Sequence, residues 1–174
     1  KPTAINVDGL EWLRPKWKGL GAIYFKIAAR LSTILFDQII NDSEEMRKIY
    51  LNIFKKESVV IAYGATIKKS EDPSLIQQWL INPKEYYLVV GRMIPDNNAD
   101  IIVKGFLASN STKKMVVVGD VFYKDKYADE LKALKDDRLI FTGYVNEPEV
   151  LAALYHHCYV YVHGHEFGGT NPTM

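Results

Sequence analysis

The chain predicts an α/β protein of parallel sheets with helices on both faces, and three observations carry that reading. Short apolar runs rich in Val, Ile and Tyr alternate with longer stretches whose apolar residues recur every three or four positions. The alternation occurs twice, over 1–65 and again from 84 onward, with a polar stretch between. Residues with chemical potential gather where the strands end, the edge at which such sheets bind ligands.

Thr3 to Val7 reads as a strand closed by the turn Asp8-Gly9. Trp17 to Gln38 reads as a long helix, with Leu20, Ile23, Tyr24, Ile27, Leu31, Ile34 and Leu35 at helical spacing. The strand Gln38-Ile39-Ile40 follows. Asp42-Ser43 then caps a helix from Glu44 to Phe54, acidic at its start and followed by Lys55-Lys56. Ser58 to Ala62 is a further strand. Residues 66–83 are read as a linker or hinge between domains: a polar run through Pro73, a short apolar stretch from Leu75 to Ile81, then Asn82-Pro83.

The second alternation begins with the strand Tyr86 to Val90 and a helix from Asn98 to Ser109. Met115 to Val118 is a strand ending in Gly119-Asp120, followed by a helix from Lys126 to Leu134. Leu139 to Thr142 is a strand running into Gly143-Tyr144-Val145. Asn146 is expected to cap the next helix, which would bury Val150, Leu151, Leu154, Tyr155 and Cys158. Tyr159 to Val162 reads as a buried strand.

Composition excludes several classes. Hydrophobic content of 48% with 25% charged residues is that of a globular protein. A net charge of +1 leaves no basic footprint for nucleic acid. One cysteine, Cys158, rules out a disulfide framework and a thiolate metal site. No run approaches the roughly 20 apolar residues of a membrane span, and no signal peptide opens the chain, so a cytoplasmic location is expected. The missing initial Met leads us to expect a fragment whose natural N-terminus lies further upstream.

The last twelve residues, His163 to Met174, are the most informative. Gly168 and Gly169 let the backbone approach a ligand, and Thr170-Asn171 stand where a helix should begin, with free N–H groups that attract anions such as diphosphate. Glu166 would repel phosphate, so it suits a sugar hydroxyl or a developing positive charge; its bland alternative is a helix-entry carboxylate. His163 and His165 share a face of the strand end, but no third ligand at sensible spacing makes them a zinc site, and one of them near sugar or phosphate is the better reading. His156 and His157 read as surface or packing residues.

Arg92, directly after a strand and Gly91, can bind a diphosphate in bidentate fashion; a surface ion pair with Asp96 or Asp100 is the alternative. Asn97 can hydrogen-bond a phosphate oxygen, or it or Asp96 can cap the following helix. Tyr144 could stack on a base or simply pack. Asp8 and Glu11, in a loop after the first strand, could orient or deprotonate an acceptor hydroxyl, although Glu11 could equally pair with Arg14 or Lys16. Trp12 and Trp17 could form a sugar platform but read more naturally as core.

The loop Gly91-Arg92-Met93-Ile94-Pro95-Asp96-Asn97-Asn98, then Gly119-Asp120, Thr142-Gly143-Tyr144-Val145 and Glu166-Phe167-Gly168-Gly169, in that order, resembles retaining glycosyltransferases of the GT-B fold, family 4. Upstream, Asn6 to Trp12 with Arg14, Lys16 and Trp17, then Ile40 to Ser43 and Ile61 to Ala65, looks like bacterial polysaccharide rhamnosyltransferases, as does Gly168-Gly169-Thr170-Asn171-Pro172. The usual lysine two residues after the proline is Asn97 here, which also fits that group.

The resemblance implies a GT-B-type, Rossmann-like fold: 1–65 would end an acceptor-side domain, and 84–174 would be most of a donor-binding domain. It implies transfer of a sugar, rhamnose from dTDP-rhamnose, onto a saccharide or lipid-linked saccharide acceptor in capsule or O-antigen-type synthesis. The enzyme would need no cofactor or metal and could touch the inner face of the membrane. Arg92 would stabilise the departing diphosphate, helped by Asn97, Gly168, Gly169, Thr170 and Asn171; Tyr144 and Val145 would meet the base, with Glu166 on the sugar. The family's second glutamate would fall just past Met174, so this piece alone should not turn over. A sugar-nucleotide epimerase of the same fold, or a non-catalytic sugar-nucleotide-binding protein, is the alternative.

Overall fold

A computed structural model of the chain describes residues 1–7, 9–14, 16–64 and 68–166. They fall into two compact units, one within 1–64 and the other within 68–166.

The first unit runs β1 (Ala4–Asn6), α1 (Leu20–Leu35), β2 (Gln38–Asn41), α2 (Glu44–Phe54) and β3 (Val59–Val60), with a 3-10 turn at Glu11–Leu13. Its strands pair in parallel in the order β1-β2-β3, with Ile5 opposite Ile39 and Ile40 opposite Val59. Ser43 caps α2 as the sequence predicts, its hydroxyl accepting from the Met46 N–H at 3.4 Å. Lys55 closes the helix in the left-handed region. Ile39, Met46 and Tyr50 form the buried centre of this unit.

The long first helix forms, but the apolar stripe that marks it in the sequence lies mostly on its open side. Leu20 is 84% and Leu35 68% exposed, whereas Ser32 and Thr33 are buried. Those two hydroxyls are satisfied within the helix, donating to the Ala29 and Arg30 carbonyls at 2.7 Å. The physical reason is size: β1, β2 and β3 have 3, 4 and 2 residues, too little sheet to cover a 16-residue helix.

The second unit holds β4 (Tyr86–Val90), α3 (Ala99–Leu107), β5 (Lys114–Val118), α4 (Lys126–Lys132), β6 (Leu139–Gly143), α5 (Pro148–His157) and β7 (Val160–Tyr161). All four strands are parallel, in the order β6-β5-β4-β7. Side chains alternate across the sheet. Tyr86, Leu88, Val116 and Val118 meet Leu154 of α5 on one face. Val89, Met115 and Val117 meet Val103 of α3 and Leu131 of α4 on the other. Both faces being covered is why these strands read as unbroken apolar runs.

The residues read as a linker are, where described, part of this unit. The 3-10 turn Pro73–Trp79 puts Ile76, fully buried, and Ile81 into the same core cluster as Leu154. Asn146 does not cap α5: Pro148 takes the first helical position and Glu147 becomes the N-cap, without a side-chain bond. The opposite end of α5 is closed by Lys84, whose ammonium donates to the His156 and Cys158 carbonyls at 2.8 and 3.1 Å. The last strand, expected to be buried, has Tyr159 and Val160 exposed because β7 stands at the sheet edge.

Candidate functional site

The strand order decides where to look. From β4 the chain moves through β5 to β6 on one side, then returns to the other side of β4 as β7. Direction reverses between β4 and β7, and in an open parallel sheet such a switch point opens a crevice beyond the strand C-terminal ends. The β4 end carries Gly91-Arg92 and the β7 end carries His163-Gly164-His165-Glu166. A recess there is lined by Gly91, Arg92, Asn97, His163, Gly164 and His165.

Two hydrogen bonds hold these two loops together. The Asn98 amide donates to the Gly164 carbonyl at 2.9 Å, and the Glu166 N–H donates to the Asp96 carbonyl at 3.0 Å. Gly164 itself permits the approach, since a Cβ there would meet the Asn97 carbonyl oxygen and Ile102 Cδ1 at 2.8 Å. Beside it, Gly119 sits at φ +119° with its open side on the Gly91 carbonyl, where any Cβ would collide.

Arg92 is exposed and makes no ion pair among the described residues. Asp100, one of its expected surface partners, is taken by Lys104 at 3.0 Å and by the Tyr127 hydroxyl at 2.8 Å. Burial raises the Asp100 pKa, but the bonds from Lys104 and Tyr127 outweigh it and leave it lowered. Asp120, similarly placed after β5, is bound by Lys132 at 2.7 Å, which holds its carboxyl below the usual range. Asp100 and Asp120 are thus engaged, while among the described residues the Arg92 guanidinium makes no ion pair.

Asn97 lines the recess but is buried, and its amide donates to the Arg92 carbonyl at 2.7 Å. It clamps the loop that carries Arg92, and neither it nor Asp96 caps α3; the N-cap position belongs to Asn98. Glu166 is exposed at the mouth, placed by its own backbone bond. Gly168, Gly169, Thr170 and Asn171 lie outside the described residues.

Tyr144 follows β6 and is half exposed; Val145 packs on the core. Tyr144 stacks on Phe122, ring centroids 4.6 Å apart and 25° from parallel. Phe122 is 86% exposed, in the loop after β5, and the sequence reading passed over it. Its signal in the sequence is the aromatic pair Phe122-Tyr123, one residue past the strand-end residues Gly119-Asp120.

In the first unit, Glu11 is bound by Arg14 at 2.8 Å, by the Trp17 indole N–H at 2.9 Å and by Lys16 at 3.5 Å. That pairing is the surface-turn alternative, and it occupies both carboxylate oxygens. Trp17 packs on Phe25 at 4.7 Å and Trp12 on the edge of Phe54. An open groove of about 380 Å³ lies along this region, lined by Asn6, Glu11, Trp12, Phe25 and Tyr50. Asp8 lies outside the described residues. Among the described residues no three His, Cys, Asp or Glu side chains converge as a metal site would require, and no helix is long and apolar enough to cross a membrane.

An open parallel sheet with a switch-point crevice defines the α/β class whose ligands bind beyond the strand C-terminal ends. The family of glycosyl transferases group 1 matches residues 71–172, more than half of the sequence, and the chain belongs to it. A domain of unknown function (DUF1972) matches residues 3–66. No curated protein matches the chain. Among solved structures it is similar to HepE of Anabaena in complex with UDP and glucose (18% identity, 94% of this chain and 46% of that one, TM-score 0.74). It is also similar to TarM (16%, 99% and 34%, 0.72) and to the pneumococcal O-GlcNAc transferase GtfA in complex with UDP and GlcNAc (14%, 98% and 34%, 0.67). The fold is the α/β GT-B type of these neighbours, and the chain spans a third to a half of their length.

Proposed function

We propose that this chain carries the donor-diphosphate site of a glycosyltransferase, and that the whole protein moves a sugar from a nucleoside diphosphate to a saccharide acceptor. The observation that carries the reading is Arg92 at the β4/β7 switch point, without an ion pair among the described residues while the neighbouring Asp100 and Asp120 are engaged. A guanidinium so placed binds the departing diphosphate through two charge-assisted hydrogen bonds and lowers the barrier to its loss. Cationic side chains supply the charge, so no metal is needed in this scheme. Asn97 acts by holding the Arg92 loop. Glu166 faces the sugar, with the backbone amides of Gly168, Gly169, Thr170 and Asn171 completing the phosphate contacts.

The donor we favour is dTDP-rhamnose, on the motif resemblance of the upstream block and of the Gly168 to Pro172 run, with a capsule or O-antigen-type saccharide as acceptor and retention of anomeric configuration. The base would lie on the exposed stacked pair Phe122 and Tyr144, which offers a flat apolar face beside the strand ends. Of the two acceptor-side candidates, Asp8 is the better base, because Glu11 is held by Arg14 and Trp17.

The test is turnover by the full-length protein with a chelator present, offering dTDP-rhamnose, UDP-glucose or GDP-mannose with and without a polysaccharide-repeat acceptor. Acceptor-dependent release of dTDP is expected. Release from another nucleotide sugar would remove rhamnose and keep the transferase. Conversion of the sugar with no transfer would point to an epimerase.

A further inference from the structure

The switch-point recess contains a group that diphosphate binding by Arg92 does not use. His163 and His165, separated by Gly164, stack with ring centroids 4.1 Å apart and 21° from parallel. Their Nδ1 atoms are 3.0 Å from one another, and His163 Nδ1 also lies 3.1 Å from the Tyr161 hydroxyl. One ring nitrogen therefore has two would-be partners. A neutral imidazole nitrogen either donates or accepts, so a single proton must be shared across the Nδ1–Nδ1 contact. Two N–H groups aimed at one another would leave both without an acceptor. Only one of the two facing nitrogens can carry a proton while the contact holds.

Its surroundings set the direction. His165 lies against the Gly91 backbone, with its Cε1 and Nε2 at 3.2 and 3.4 Å from where a Gly91 Cβ would stand. Burial, then His163, then Arg92 push its pKa below the ordinary histidine value. On the segments packed around the pair, Arg92 is the cation and Tyr161 the hydroxyl partner. Asp96, with a buried carboxylate Oδ2, accepts from the Glu166 N–H through its backbone carbonyl, and Asp100 is held by Lys104 and Tyr127. An anion entering the recess beside Arg92 would add negative charge next to the pair.

We propose that the His163–His165 pair is a proton-accepting part of the diphosphate site, taking up one proton as a nucleoside diphosphate binds beside Arg92. This rests on the donor-site reading above. The bound anion offsets the effect of Arg92 on His165, so an imidazolium is favoured in the complex and adds its charge to that of Arg92. Affinity then rises as pH falls, by at most tenfold per pH unit for one proton.

The experiment is calorimetric titration of the full-length protein with dTDP and with UDP at pH 7, in buffers of different ionisation enthalpy, which reads protons exchanged directly. His163→Gln and His165→Gln serve as controls, since the ligand's own phosphate also titrates near this pH. Both histidine variants should still bind, and both should lose the uptake seen in the unaltered protein. Equal proton exchange in all three proteins would overturn the role of the pair while leaving the donor site standing. If neither nucleotide binds the unaltered protein, the donor-site reading fails and the pair's role falls with it. Circular dichroism of each variant separates loss of fold from loss of uptake.

Discussion

At the scale of single residues, Arg92 has the most to lose. Bonds to charged groups contribute roughly 1.5–3 kcal/mol each, so Arg92→Ala should weaken nucleoside diphosphate binding by tenfold or more with no change in thermal midpoint. Asn97 is the informative contrast. The sequence offered it as a phosphate ligand or a helix cap; in the structure its buried amide donates to the Arg92 carbonyl. Asn97→Ala should therefore lower both stability and affinity, the former by about 1–3 kcal/mol for an orphaned buried carbonyl. A chemical denaturation curve beside a binding isotherm separates the two cases. Type and spacing singled out Arg92, which stands exposed at the end of β4. They could not tell a ligand-facing amide from a loop clamp, which depends on a few ångströms of burial.

At the scale of elements, strands and helices were largely legible, because hydrophobic period and caps are local. Ser43 caps α2 where expected. The misreadings are tertiary. Tyr159 and Val160 have a buried strand's composition yet stand on an edge, and Asn146 lost the cap to Glu147 because Pro148 fixes the helix start. The C-terminal end of α5 makes a pH prediction. His157 is buried there, and desolvation, then His156 and Lys84, lower its pKa from 6.5. The unfolded chain then binds that proton more readily than the folded one. Stability is thus complete above about pH 6.5 and lost as pH falls below it. Urea midpoints at pH 7.5 and 5.5 should fall less in His157→Gln than in the unaltered chain; an equal fall would remove His157 from the account. Gly119 gives a second element-scale expectation. Gly119→Ala places a methyl on the Gly91 carbonyl and should cost at least about 1–3 kcal/mol from backbone strain alone, with the β4 loop displaced and nucleotide affinity reduced.

At the scale of the whole molecule, the outward apolar face of α1 is the feature the helical pattern alone could not foresee. Period says that a helix has an apolar side, and not whether the residues given supply a partner for it. Leu20, Ile23, Ile27, Ile34 and Leu35 are all more than half exposed, and a patch of that kind drives association. The 174-residue chain by itself should self-associate in light scattering, and replacing Leu20, Ile27 and Ile34 by Glu should suppress it. A monodisperse unaltered chain would contradict this. The two β-α alternations, by contrast, were plain in the sequence, and so was the gathering of chemistry at strand ends. What needed the fold was the strand order β6-β5-β4-β7, which brings two loops some seventy residues apart to one crevice.

That crevice is the central claim, and calorimetric titration of the full-length protein with dTDP, in parallel with Arg92→Ala, tests it most directly. The account predicts binding to the unaltered protein and affinity at least tenfold weaker in the variant. Equal affinity in the two proteins would place the diphosphate elsewhere, and would contradict the assignment of the β4/β7 switch point as the donor site.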